Sequence, residues 1–237
     1  AELEAEILEQ VASQGCTTPE LRERLAGEAF AHTACYDQAI ATFFAGLREK
    51  ADFPQAIHLN LTRKEVLRYG ENPHQQAAVY GRAGAAGPSL VTGLKRHGKE
   101  LSYNNLLDLD SALAIVRGFR EPAATVIKHN NPCGAAVAAG LDEALRNALA
   151  GDPQSAFGGI LGLNRVVDLA TAEVLTEPGL FIEAIVAPGF EPDAFEVLTT
   201  VPKWKANVRL VEVGDLSGQP ERWAYRWIEG GMLVQES

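Results

Sequence analysis

Four short segments bring together side chains able to do chemistry. The first is Ile127-Lys128-His129-Asn130-Asn131-Pro132-Cys133-Gly134. It sets an ammonium beside an imidazole at the end of the apolar run 123–127, which reads as a buried strand. In α/β folds the carboxyl ends of strands are where ligands bind. Burial and the neighbouring ammonium would keep His129 neutral and able to take a proton as a base. The competing reading is an exposed loop with a solvated lysine. The second segment, Arg68-Tyr69-Gly70-Glu71-Asn72-Pro73-His74-Gln75, holds a guanidinium, a phenol and an imidazole within seven residues. A guanidinium suits phosphate or carboxylate because its fork donates two parallel hydrogen bonds. Alternatively Arg68 pairs with Glu71 and His74 only caps a turn. The third, Asp152-Pro153-Gln154-Ser155-Ala156-Phe157-Gly158-Gly159-Ile160, has paired glycines beside a strand. They allow either a close ligand approach or a tight turn. In the fourth, Gly98-Lys99-Glu100-Leu101-Ser102-Tyr103-Asn104-Asn105, the asparagines suit the cap of a following helix.

The elements that must position these segments follow from periodicity. Residues 1–48 read as helical, with Thr17 and Thr18 ahead of Pro19 and Glu20 as a helix start and a break near Gly27. Residues 49–56 read as a linker. Residues 58–61 and 76–80 alternate like strands, and 81–89 reads as a surface loop. A helix follows Tyr103, with Leu106, Leu109, Leu113 and Val116 on one face. Residues 123–127, 159–163, 181–187 and 208–213 are strand candidates. Helices at 141–149, 168–176 and 191–198 separate them. Such alternation predicts a layered α/β domain. Residues 223–234 add one or two strands.

Composition narrows the function classes. The chain has 237 residues, 46% of them apolar and 22% charged, with a formal net charge of −10. This is ordinary globular composition. An acidic chain repels phosphate backbones, so nucleic acid is not an expected partner. Cys16, Cys35 and Cys133 form no metal-type pair and no disulfide framework. No apolar run approaches a membrane span and the first residues carry no signal-peptide pattern, so the cytoplasm is the expected location.

Taken together and in order, the segments resemble a known family. RYGENPHQ at 68–75, GKELSYNN at 98–105, KHNNPCG at 128–134, DPQSAFGG at 152–159 and GGMLVQ at 230–235 are similar to motifs of the AICAR transformylase/IMP cyclohydrolase family of purine biosynthesis. AHTACYD at 31–37 resembles the end of its preceding cyclohydrolase domain. The likeness runs from about residue 15 to the C-terminus. The family protein is roughly twice as long and multi-domain. The resemblance therefore implies that 1–48 is the tail of the cyclohydrolase domain and its connection. Residues 57–237 would be the first half of the transformylase domain, the first of two α/β/α halves resembling the cytidine-deaminase fold. Zinc deaminases of that fold hold metal with H-x-E and P-C-x-x-C. Neither pattern occurs here, so no metal is expected.

The resemblance also implies a reaction: formyl transfer from 10-formyltetrahydrofolate, the folate co-substrate, to the 5-amino group of AICAR ribotide. That amine is conjugated to the carboxamide and is a poor nucleophile, so it needs a base and a cation for the developing oxyanion. By resemblance His129 takes the proton, Lys128 stabilises the oxyanion or the leaving nitrogen, and His74 assists. Arg68 and Tyr69 hold the nucleotide, the Gly158 backbone approaches its base, and Glu183 binds a polar group of it. The family site lies at a homodimer interface to which both halves contribute. The alternative is that this segment alone is catalytically silent and serves folding or dimerisation.

Overall fold

A computed structural model describes residues 2–48, 53–82, 85, 87–218 and 222–237. Part of the expected linker (49–52) and part of the expected loop (83, 84 and 86) lie outside the described residues. The chain divides into two compact units, Ala1–Leu61 and Thr62–Ser237.

The first unit holds α1 (Glu2–Gln14) and α2 (Pro19–Arg48). Thr18 starts α2: its hydroxyl accepts from Leu21 N–H at 3.2 Å, and its own N–H donates to Gln10 Oε1 at 2.8 Å. Pro19 occupies the first turn, where a missing N–H costs nothing. No break occurs at Gly27, because one glycine in a 30-residue helix costs too little to end it.

The second unit is built on a mixed six-stranded sheet of order β3-β8-β7-β6-β4-β5. Its strands are β3 (Leu94–His97), β4 (Ala123–Lys128), β5 (Asn131–Val137), β6 (Gly159–Leu163), β7 (Ile182–Ala187) and β8 (Arg209–Glu212). The helices are α3 (Tyr103–Arg117), α4 (Leu141–Gly151), α5 (Pro153–Ala156), α6 (Leu169–Val174) and α7 (Pro192–Thr200). Strand alternation divides the core into two layers. Val126, Leu161, Ile185 and Leu210 face the α4, α6 and α7 side. Ile127, Ile160, Val186 and Val211 face α3. Burying each large aliphatic side chain is worth about 2 kcal/mol. The buried face of α4 (Leu141, Ala144, Leu145, Ala148, Leu149) has the helical spacing that makes such a layer.

Two hairpins stand apart from this sheet: β1 (Leu61–Leu67) with β2 (Ala77–Arg82), and β9 (Trp223–Ile228) with β10 (Gly231–Glu236). The first strand begins where the 58–61 alternation ends, since hydrogen bonding rather than apolar patterning defines it. All of β1 but Leu67 is exposed.

Candidate functional site

Strand direction corrects one expectation at the outset. β4 runs antiparallel to β6, while β6, β7 and β8 are parallel to one another. Lys128 and His129 therefore lie at the amino ends of the parallel strands, and the carboxyl-end rule does not cover them. At the opposite edge lies a cavity of about 740 Å³ whose lining includes Arg117, Arg120 and Arg165. The guanidinium of Arg117 donates to the Pro88 carbonyl, and that of Arg165 to the Asn164 and Arg120 carbonyls. Volume alone does not make that cleft the reactive site; the dense polar network is at the other edge.

Lys128 anchors that network. The fully buried run 123–127 emerges from the sheet here, and the ammonium donates to the carbonyls of Phe157 (3.0 Å) and Gly158 (3.1 Å). Two of its three protons are used, which leaves one for a ligand oxygen. Gly158 has φ of +69° and its N–H donates to the Phe181 carbonyl at 2.6 Å. A Cβ at Gly158 would lie 3.2 Å from both Lys128 Nζ and the Phe181 ring, so glycine is needed for both backbone and space.

His129 and Asn130 form the two-residue turn between β4 and β5, in which Lys128 pairs with Asn131. Both have positive φ, 49° and 62°. This is the pattern of a type I′ hairpin turn, a conformation uncommon for non-glycine residues but one in which Asn and His are both enriched. His129 is exposed, so the expected burial of its ring is not met: burial stops at Ile127. Among the described residues its ring makes no hydrogen bond, and both nitrogens are available.

Carboxylates gather beside this turn. Asp108 Oδ1 accepts from Asn130 N–H at 2.7 Å. Burial raises the Asp108 carboxyl above the usual range; the Asn130 N–H and then His129 oppose the rise, Glu183 adds to it, and Lys128 opposes it. β6 and β7 pair with Gly159 opposite Ile182, so Glu183, next to Ile182 at the start of β7, lies at the sheet end where Lys128 reaches Gly158 and Asp108 reaches the turn. Glu183 Oε1 accepts from Asn105 Nδ2 (3.0 Å) and Arg209 Nη1 (3.1 Å). Arg209 also donates to the Glu100 carbonyl. With Oε1 doubly occupied, Oε2 of the half-exposed Glu183 remains for a ligand donor.

The Arg68 segment closes on itself. Gly70 N–H donates to the Gln75 carbonyl (2.8 Å), and Asn72 N–H to Gln75 Oε1 (2.8 Å). Asn104 Nδ2 ties it to the start of α3 through the Glu71 carbonyl at 3.3 Å. The Arg68 guanidinium lies 4.9 Å from the centre of the Tyr69 ring and donates to its hydroxyl at 3.3 Å. No ion pair joins it to Glu71 among the described residues. Arg68 also lines a cavity of about 610 Å³ with Arg63 and Tyr80. His74 is exposed on the same segment, and among the described residues no hydrogen bond joins it to Lys128 or His129.

Asn105, Asp108 and Arg209 belong to the network but do not stand out in the sequence. Asn105 hides behind its capping role, which is real: Ser102 and Asn105 form a reciprocal capping box at α3. Asp108 lies one turn further along the same helix. Cys133, conspicuous in its motif, is quiet. Burial pushes its thiol up, and Sγ donates to the Val126 carbonyl at 3.5 Å. No group of three or more His, Cys, Asp or Glu that could hold a metal occurs among the described residues. No described helix is long and apolar enough to cross a membrane.

Residues 3–237 match the sequence family described as AICARFT/IMPCHase bienzyme. The chain is 56% identical over 232 residues to the bifunctional purine biosynthesis protein PurH of Rhodopirellula baltica, covering 98% of the chain and 44% of that protein. It is 45% identical to the PurH proteins of Persephonella marina and Sorangium cellulosum, covering 97% of the chain and 44% and 45% of those proteins. The chain thus spans less than half the length of these relatives.

Proposed function

The chain belongs to the AICARFT/IMPCHase bienzyme family, and from that premise we propose that it carries part of a formyl-transfer site acting on AICAR ribotide with 10-formyltetrahydrofolate. The observation that carries this reading is the placement of Lys128, Gly158, Glu183 and the His129 turn at one end of the sheet. The 68–75 segment is tied to α3, the helix whose Asp108 holds the His129 turn.

In this reading the 5-amino nitrogen attacks the formyl carbon and loses its proton to His129. The free proton of the Lys128 ammonium faces the developing oxyanion, and the bond from formyl carbon to folate nitrogen then breaks as that nitrogen takes up the proton held by His129. Folate acts as co-substrate and no metal is needed. His74 assists, Arg68 and Tyr69 hold the phosphate end, Gly158 gives backbone access to the base, and Glu183 takes a polar group through Oε2. Residues 57–237 would be the first of two cytidine-deaminase-like halves, and 1–48 the tail of the cyclohydrolase domain. A cytoplasmic homodimer completes the proposal.

Arg68 supplies the test. In a full-length family protein carrying this segment, Arg68→Lys is expected to weaken ribotide binding by about tenfold, because a point charge replaces a fork. The unphosphorylated riboside should bind both forms alike. Equal ribotide and riboside affinities in the wild type would contradict the assignment.

A second reading has its own support: Arg68, His74 and His129 are all exposed in this chain. The segment by itself would then be silent and act in folding or dimerisation. Formyl transfer should be absent from the segment alone and appear when the rest of a family protein is added. Trp227, Ile228 and Leu233 of the last hairpin are also exposed, at 71%, 50% and 56%. Trp223, Tyr225 and Met232 of the same hairpin are half-buried. Exposed apolar surface favours association. The isolated chain should sediment as a dimer or larger at micromolar concentration, and a clean monomer would count against the homodimer.

A further inference from the structure

The turn that presents His129 is held from outside its own hairpin. Two adjacent non-glycine residues in the left-handed region persist only where the surroundings fix them. Here the fixing element is α3. Asp108 Oδ1 accepts from Asn130 N–H at 2.7 Å, and one turn along Ser111 Oγ donates to Asn130 Oδ1 at 2.5 Å. Both bonds land on Asn130 and leave the His129 ring unencumbered. α3 is itself pinned at its start, by the Ser102–Asn105 capping box and by Asn105 Nδ2 donating to Glu183.

We propose that Asp108 is a positioning residue: through its hydrogen bond to Asn130 N–H, seconded by Ser111, it locks the left-handed turn and aims His129 at the reacting amine. The inference rests on the reading of His129 as the base. It explains why a carboxylate is kept in a place where burial penalises its charge. The acceptor oxygen is what the turn needs, and the backbone N–H repays part of the desolvation. Glu183, fixed by the same helix, is thereby held in register with the His129 ring.

The test uses a full-length family protein carrying this segment, in wild-type, Asp108→Asn and Asp108→Ala forms. Two quantities are read: amide hydrogen exchange of the 128–131 backbone, and kcat with KM for the nucleotide. Asp108→Ala should speed exchange at the turn and lower kcat, each by about tenfold or more, with KM within about twofold, because misplacement of a reacting group acts on the chemical step. Asp108→Asn keeps an acceptor oxygen in the same place and should stay within about threefold of wild type in both. Unchanged exchange or unchanged kcat in Asp108→Ala would overturn the proposal, as would an Asn variant as damaged as the Ala variant. A His129→Asn control separates the two ideas. Unchanged kcat there removes the base, whereas unchanged kcat in Asp108→Ala alone removes only the clamp.

Discussion

Replacing His129 in a full-length family protein carrying this segment should lower kcat by about 10²-fold or more while nucleotide affinity changes little, as expected for loss of a general base. The choice of replacement matters. His129 has φ of 49°, and alanine there would strain the turn as well as remove the imidazole. Asparagine tolerates that conformation and isolates the chemical loss. His129→Asn and His129→Ala should therefore fall to similar rates, with the alanine form also less stable by about 1 kcal/mol. Steady-state kinetics and thermal unfolding of both variants supply the check. A wild-type kcat in His129→Asn would remove the residue from the mechanism.

Gly134→Ala should be among the most damaging single-methyl additions in this chain's second unit, and for a reason unrelated to chemistry. β5 passes so close to α4 that a Cβ on Gly134 would stand 1.9 Å from the Ala148 carbonyl oxygen and 2.9 Å from its carbon. Both are backbone atoms of a regular helix, at a residue on its buried face, so no side-chain rotation relieves the clash. Overpacking of this kind costs about 3 kcal/mol or more. The expected result is a large drop in unfolding midpoint or failure to accumulate as folded protein. Denaturant unfolding reads it directly, and a wild-type midpoint would mean that β5 and α4 are further apart than described. The family motif around 128–134 thus divides in two. Its first half carries the proposed chemistry, and its last residue lets a helix approach a strand.

Much of the fold was legible because burial writes itself into the sequence. The runs 123–127, 159–163, 181–187 and 208–213 all contain strands of the central sheet, and the helices between them occur as expected. β3 and β5 were not legible. β3 is four residues long and carries Lys95, Arg96 and His97, so no apolar pattern marks it. β5 contains Pro132 and Gly134, which argue against a strand; it is tolerated because it lies at the sheet edge. Lys128 and Gly158 could be named as candidates because their motifs are dense and ordered, and Glu183 only through the family resemblance. What joins them could not, since pairs such as Asn105–Glu183 and Asp108–Asn130 are separated by 78 and 22 positions. The antiparallel course of β4 was equally invisible, because strand direction is a property of pairing.

Asn105 uses both ends of one amide. Its Oδ1 accepts the Ser102 N–H that begins α3, and its Nδ2 donates to Glu183 on β7. The helix is thus keyed to the sheet like a shaft to a hub, with its angular setting fixed at one point near its start. Sliding the sequence of α3 by one residue would advance it about 1.5 Å and rotate it about 100°. Asp108 and Ser111 would then swing away from Asn130 together, and Asn104 from Glu71. Length is consequently not negotiable between Asn104 and Ser111, although every residue there lies in an ordinary helix. Beyond Ser111 none of these contacts is being timed; the packing of Ala112, Leu113 and Val116, with the Arg117 and Val116 bonds to Pro88 and Asn164, keeps the count there.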